Sequence, residues 1–291
     1  MKNLTNIFFL FVSLSVCSQS VKEIINEIEK INEYHHEYVG FSFGENYKNF
    51  ETLKSKASIE ELVKLTEHRN PVVIAYSANA LFDKKYKKAD EVFAKILKND
   101  SIVEEITGCL WGEERISNIV YHHYWNSVNV NDRETDKMLI KLDSLSLYND
   151  DTYWLIHLRA FQNRLYTKDY LPQIEYLAFE KLNKQALSYL SNWYKADYKN
   201  QTEQALLSYM EKTDFENFGA GYYYEIVEEI LKYRNFKNEK IIINKMKKDT
   251  SWLPMESNFV SLLEKYGNYE FYEQYQKKVI EELQKKNQNK E

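Results

Sequence analysis

The sequence predicts an all-α fold, a continuous array of short helices paired in hairpins. Three observations lead there. Seven glycines and three prolines punctuate 291 residues, too few for the frequent Gly/Pro turns of a sandwich or barrel. Apolar residues recur at steps of three and four along most of the chain. No stretch rich in Pro, Gly or Ser divides it, so residues 19–291 read as one domain.

Taken in order, residues 21–39 carry Ile24, Ile25, Ile28 and Ile31 on one face and read as a first helix ending near Gly40. Residues 40–47 (GFSFGENY) read as a loop bearing two aromatics. Ser58-x-x-Glu61 is a capping box opening a helix to Arg69. The best-formed stretch spans 70–100. Asn70 is an N-cap and Pro71 stands at the first helical position, where its missing N–H costs nothing. Val73, Ser77, Ala80 and Leu81 share a face, Asp83-Lys84-Lys85 breaks the pattern, and Tyr86, Ala89, Phe93, Ile96 and Leu97 form a second stripe. Alanines at 75, 78, 80 and 89 admit close helix approach.

Ser101 and Glu104 repeat the capping-box spacing, and Gly108, Cys109 and Gly112 mark close packing or a break before a helix over 111–128. Helices follow at 132–147, 151–166, from Asp169 through Pro172 to Lys181, and at 185–194, 202–212, 218–233, 236–248, 254–266 and 269–284. Ile241-Ile242-Ile243 is strand-like in composition, but its helical surroundings favour a buried helix. The tail QKKNQNKE is polar.

The segment Asn79-Ala80-Leu81-Phe82, continued by Tyr86-x-x-Ala89-x-x-x-Phe93-x-x-x-Leu97-x-x-Asp100, resembles a tetratricopeptide repeat hairpin, without that family's turn glycine, near whose place Lys85 stands. Pro71-x-Val73 with Ala80-Leu81 also resembles a HEAT repeat helix, with Ile74 where that family usually has Arg. The resemblance covers about 30 residues well; other hairpins, such as Tyr266-Gly267-Asn268-Tyr269, match weakly. It implies an α-solenoid-like array of antiparallel helical hairpins, and such repeats mostly bind proteins or peptides.

The chain opens MKNLTNIFFLFVSLSVCSQS, with Lys2 before an apolar run from Ile7 to Val16. That run suits a secretory signal and is too short to span a membrane. Cleavage is expected after Ser18, with Val16 and Ser18 as the small flanking residues, so residues 1–18 read as a signal peptide. The alternative is a lipoprotein signal with a lipid anchor at Cys17, against which Val16 is larger than usual. Export from a bacterial cytoplasm, to the periplasm or beyond, is the expected localisation. Cys109 would then be the sole cysteine, read as a small buried hydrophobe. The net charge of −5 is spread over interspersed acids and bases. No basic stripe points to nucleic acid, and no later apolar run has membrane-spanning length.

Metalloprotease, hydrolase-elbow, phosphate-loop, dinucleotide and C-x-x-C signatures are absent, so no catalytic, cofactor or metal residue is assigned. The pairs His35-His36 and His122-His123 are adjacent, which points their rings about 100° apart on a helix and makes a poor chelate. Glu113-Glu114 and Glu228-Glu229 read as solvated faces. Among the 24 tyrosines, two clusters stand out as partner-binding candidates, because Trp and Tyr serve cores and interfaces alike. They are Tyr121, His122, Tyr124 and Trp125, and then Tyr222 and Tyr223; the run Tyr222-Tyr223-Tyr224 should leave at least one ring exposed. The expected function is an exported helical scaffold binding a protein or peptide partner. The alternatives are a helical hydrolase with its site in the groove and a structural subunit of a cell-envelope assembly.

Overall fold

The structure, a computed structural model, describes residues 19–266. The expected signal at 1–18 and the expected helix at 269–284 lie outside the described residues. The chain divides into two compact units, Met1–Arg164 and Leu165–Glu291. The described residues are mostly helical, with 14 α-helices packed on their neighbours.

The first unit begins with α1 (Val21–Ile31), opened by a full capping box between Ser20 and Glu23. It stops early. Asn32 adopts a left-handed conformation (φ 54°) and its amide bonds back to the Ile28 carbonyl, a helix C-terminal arrangement that Asn tolerates better than most residues. The next residues, YHHEYV, form β1 (Tyr34–Val39) instead of prolonging the helix. Aromatic and β-branched side chains fit a pleated, half-buried surface. Then come β2 (Ser42–Phe43), α2 (Glu45–Lys56), α3 (Ile59–Leu65), α4 (Pro71–Asp83) and α5 (Ala89–Lys98). Where a capping box was expected at Ser101, the chain enters β3 (Ile102–Gly108) and returns as β4 (Leu110–Arg115). The helix expected from 111 therefore starts only at α6 (Ile116–Ser127), followed by α7 (Lys137–Leu147) and α8 (Trp154–Asn163).

The four strands make one mixed sheet in the order β2-β1-β3-β4, with β1 and β3 parallel and the outer pairs antiparallel. This overturns the all-α, α-solenoid-like expectation: the fold is α/β. Two hairpins drive the change. Val39 pairs with Ser42 and Thr107 with Leu110, so each loop has two residues, and each begins with a glycine at positive φ, Gly40 (59°) and Gly108 (55°). Tight hairpin loops demand that backbone region, which glycine reaches without a Cβ clash. The two tips are tied by a 2.7 Å bond from the Gly40 amide to the Gly108 carbonyl. Cys109 is exposed in the second tip, not buried as expected.

At the centre of this unit is α4, whose residues 72, 73 and 75–82 are all buried. It packs on α1, α2, α3, α5, α6 and β3. A helix apolar all round belongs in a core rather than on one face of a layer, and its alanines permit that crowding. Ile24, Ile28, Phe50, Leu53, Phe93, Val120 and Tyr121 complete the surrounding core.

The second unit is helical throughout its described length. It comprises α9 (Leu171–Glu175) running into a π-helical turn at Tyr176–Glu180, α10 (Lys184–Trp193), α11 (Lys195–Lys212), α12 (Gly219–Leu231), α13 (Phe236–Lys248) and α14 (Glu256–Tyr266). The isoleucine run at 241–243 lies within α13, as a helix. The core stacks Phe215 flat on Tyr223, ring centroids 3.9 Å apart, with Trp252 and Phe259 beside them. No helix among the described residues is long and apolar enough to cross a membrane.

Candidate functional site

Four of the six predicted partner-binding residues lie on α6, and the helix sends them in different directions. Tyr121 points into the core, is fully buried, and its hydroxyl donates to Asp143 Oδ1 at 2.6 Å. Trp125 is half-buried: its Nε1 donates to Asn163 at 2.8 Å and the Arg133 guanidinium sits 3.3 Å from its ring centre. His122 is half-buried and faces the sheet side. Tyr124 lines a cleft.

In the second unit Tyr223 is fully buried. Tyr222 is half-buried, stacked on Phe218 at 5.1 Å and hydrogen-bonded to Tyr209. Tyr224 is also half-buried. Tyr121 and Tyr223 are thus out of a partner's reach: on an amphipathic helix the apolar face takes the rings that fill the core.

The cleft measures about 1000 Å³. One wall is the turn from α4 to α5, carrying Asp83, Lys84, Lys85, Tyr86 and Lys87. The other is the end of α6 and the chain beyond it, through Ser127, Asn129, Asp132 and Asp136. Phe82 and Tyr124, ring centroids 5.0 Å apart, form its aromatic floor. The turn is shaped by Lys85 at φ 54°, a left-handed conformation that a non-glycine residue seldom adopts.

The charges divide into two groups. Asp83 accepts from His123 Nε2 at 2.7 Å and from Lys54 Nζ at 3.1 Å. Burial pushes its carboxyl up, but those two bonds outweigh burial and hold it below the ordinary carboxylate value. Asp136 accepts from the Tyr124 hydroxyl at 2.9 Å and caps α7 through the Leu139 amide at 2.7 Å. Burial, then the Asp136 bond, raises the Tyr124 phenol well above its usual range, so it stays a donor. Lys84, Lys85 and Lys87, by contrast, pair with no acid among the described residues. Two of the three lining aspartates are therefore engaged by internal bonds, Asp83 with Lys54 and His123 and Asp136 with neutral donors, while three lysines remain uncommitted beside Asp132.

Lys54, Asp83, His123 and the lysine turn were not among the predicted site residues. The run DKKYKK at 83–88 held the signal, a block of cations at a helix–helix connection, which reads from sequence as an ordinary polar break. The partnership of Lys54, Asp83 and His123 joins residues far apart in the chain and had no sequence mark. Among the described residues no group of three His, Cys, Asp or Glu side chains is arranged to hold a metal ion. No family model, curated protein or solved structure matches the chain.

Proposed function

We propose that the first unit is a recognition module for a protein or peptide segment that is acidic and carries an aromatic or large apolar side chain. The flank of a continuous helical row does not support this reading, since the unit is α/β; the cleft does. The observation that carries it is the charge division: the lysines at 84, 85 and 87 are free, while Asp83 and Asp136 are bonded within the protein. An acidic segment would meet a positive wall, and its apolar side chain the floor made by Phe82 and Tyr124. Electrostatic complementarity of this kind sets specificity and association rate more than raw affinity.

The likeness of 70–100 to a tetratricopeptide hairpin agrees with the reading, because the cleft opens at the turn of that hairpin. Lys54, Asp83 and His123 satisfy one another, which favours binding over hydrolysis at this place. With the export signal read from residues 1–18, the partner would belong to the cell envelope or its surroundings.

Selection from a random peptide library against the mature protein tests the proposal. The expected outcome is enrichment of Asp/Glu with an aromatic residue, with binding that weakens as salt rises and falls tenfold or more in K84E/K85E/K87E, whose fold is checked by circular dichroism. Failure to select any peptide, or selected peptides that bind this variant equally well, would overturn it.

A further inference from the structure

The hairpin of β3 and β4 ends in a run of exposed residues, 109–113. Thr107 pairs with Leu110, so two apolar side chains follow directly on the two-residue loop. Leu110 is 72% exposed and Trp111 81%. Phe41, wholly exposed, stands on the neighbouring tip, which the bond from the Gly40 amide to the Gly108 carbonyl ties to this one. Single apolar residues scattered on a surface are ordinary, but a group of large ones held together marks an interaction site.

The same hairpin is acidic. Glu104 and Glu113 are Cα partners across β3 and β4. Both are exposed, and neither forms an ion pair among the described residues. Like charges set directly opposite destabilise a sheet, and cations brought from outside relieve that repulsion. The one base of β4, Arg115, is already committed, since its Nη1 bonds Asp100 at 3.4 Å.

We propose that this tip, with Trp111 as its anchor and Glu104 and Glu113 as its charges, is the occupant of the lysine cleft, supplied by a second copy of the chain. The proposal rests on the reading of the cleft as a site for an acidic, aromatic segment, and it names that segment. Trp111 would pack on Phe82 and Tyr124, and the two glutamates would meet Lys84, Lys85 and Lys87. The cleft, at about 1000 Å³, has room for an indole and a leucine side chain together.

A chain's own tip cannot serve. It lines no part of the cleft, and its pairing with β3 holds it in the sheet. The hairpin is rooted at Arg115, where α6 begins, whereas the cleft wall starts at Ser127, where α6 ends; twelve residues of helix span about 18 Å. Tip and cleft share no residue, so the contact is heterologous: a copy that gives its tip keeps its cleft open, and growth continues into a row or closes into a ring. Both surfaces are preformed, which keeps the ordering cost of association low.

The experiment is analytical ultracentrifugation of the mature chain over a rising concentration series at low and high salt. The average mass should climb past that of two chains, and fall back as salt screens the lysines. W111A, which loses the tip's anchor, and K84E/K85E/K87E, which loses the cleft's cations, should each remain monomeric, with their folds checked by circular dichroism. Mixed in equal amounts, the two variants should form a 1:1 heterodimer and nothing larger, because the pair holds one sound tip and one sound cleft. A wild-type chain that stays monomeric yet binds library-selected acidic peptides overturns self-assembly and leaves the recognition module standing; a chain that does neither overturns both. Self-association that persists in either variant alone, or a mixture of the two that stays monomeric, also overturns this proposal.

Discussion

The hydroxyl of Tyr76 closes both backbone hydrogen bonds of His35, accepting from its N–H at 2.8 Å and donating to its carbonyl at 3.0 Å. The phenol does for β1 what a further strand would otherwise do, and it anchors the sheet to α4. Tyr76→Phe leaves a buried donor and acceptor with nothing to bond. An unsatisfied buried group costs about 1–3 kcal/mol, so a stability loss of that order is expected in urea unfolding, with faster amide exchange at His35.

Gly44 sits where α2 meets β1. A Cβ there would lie 2.6 Å from the His36 carbonyl oxygen and 2.9 Å from His35 Cβ. The first neighbour is backbone and cannot swing aside. Gly44→Ala is expected to cost about 1–3 kcal/mol, the usual range for overpacking, whereas Gly112→Ala, which meets nothing within 4 Å, should be tolerated. Parallel thermal melts of the two variants check the contrast.

Asp143 is fully buried and gathers the Tyr121 hydroxyl at 2.6 Å, Asn163 Nδ2 at 3.1 Å and Arg164 Nη2 at 2.6 Å. Asp143→Ala strands Arg164 in the interior, and removal of one partner of a buried pair costs about 3–5 kcal/mol. Tyr121→Phe removes the bond donated to Asp143 and the one accepted from Asn163 Nδ2 at 3.0 Å and should cost about 1–3 kcal/mol while leaving peptide binding unchanged. Tyr124→Ala removes part of the cleft floor and should weaken peptide binding. The two tyrosines, three residues apart, are thereby assigned opposite roles, and one binding assay distinguishes them.

Acid weakens the fold through its buried histidines. Burial holds the pKa of His157 below the ordinary value, against a smaller opposing effect of its bond to the Ser146 carbonyl. His122 is shifted the same way. Each is neutral in the folded chain but gains a proton on unfolding once pH drops below about 6.5. Stability is therefore full above that value and falls as pH declines towards the folded pKa, by up to about 1.4 kcal/mol per pH unit for each proton. Urea midpoints at pH 7 and pH 5 should differ, and His157→Gln should narrow the gap.

Much of the helical content was legible, for local reasons. The capping box at Ser58, the Asn70–Pro71 start and the isoleucine run of α13 each carry their signal within one or two turns. The sheet was not legible from the same patterns. Two of its segments, 34–39 and 102–108, were absorbed into helical readings because a capping-box spacing at Ser101 and isoleucines ahead of Tyr34 were extended too far. Four of the seven glycines, at 40, 44, 108 and 112, cluster in and beside the strands, and that local concentration outweighed their scarcity in the chain as a whole.

The sequence by itself determined the starts of α3 and α4 after Ser58 and Asn70, and that DKKYKK breaks one helix from the next, since capping, periodicity and turn chemistry act over a few residues. Tertiary structure alone decided that β1 pairs in parallel with β3 across four intervening helices. It also decided that Tyr121 goes inward while Tyr124 meets the cleft, and that Lys54 and His123 converge on Asp83. Those outcomes depend on which surfaces are left to bury, and on which charges meet, once distant segments have packed.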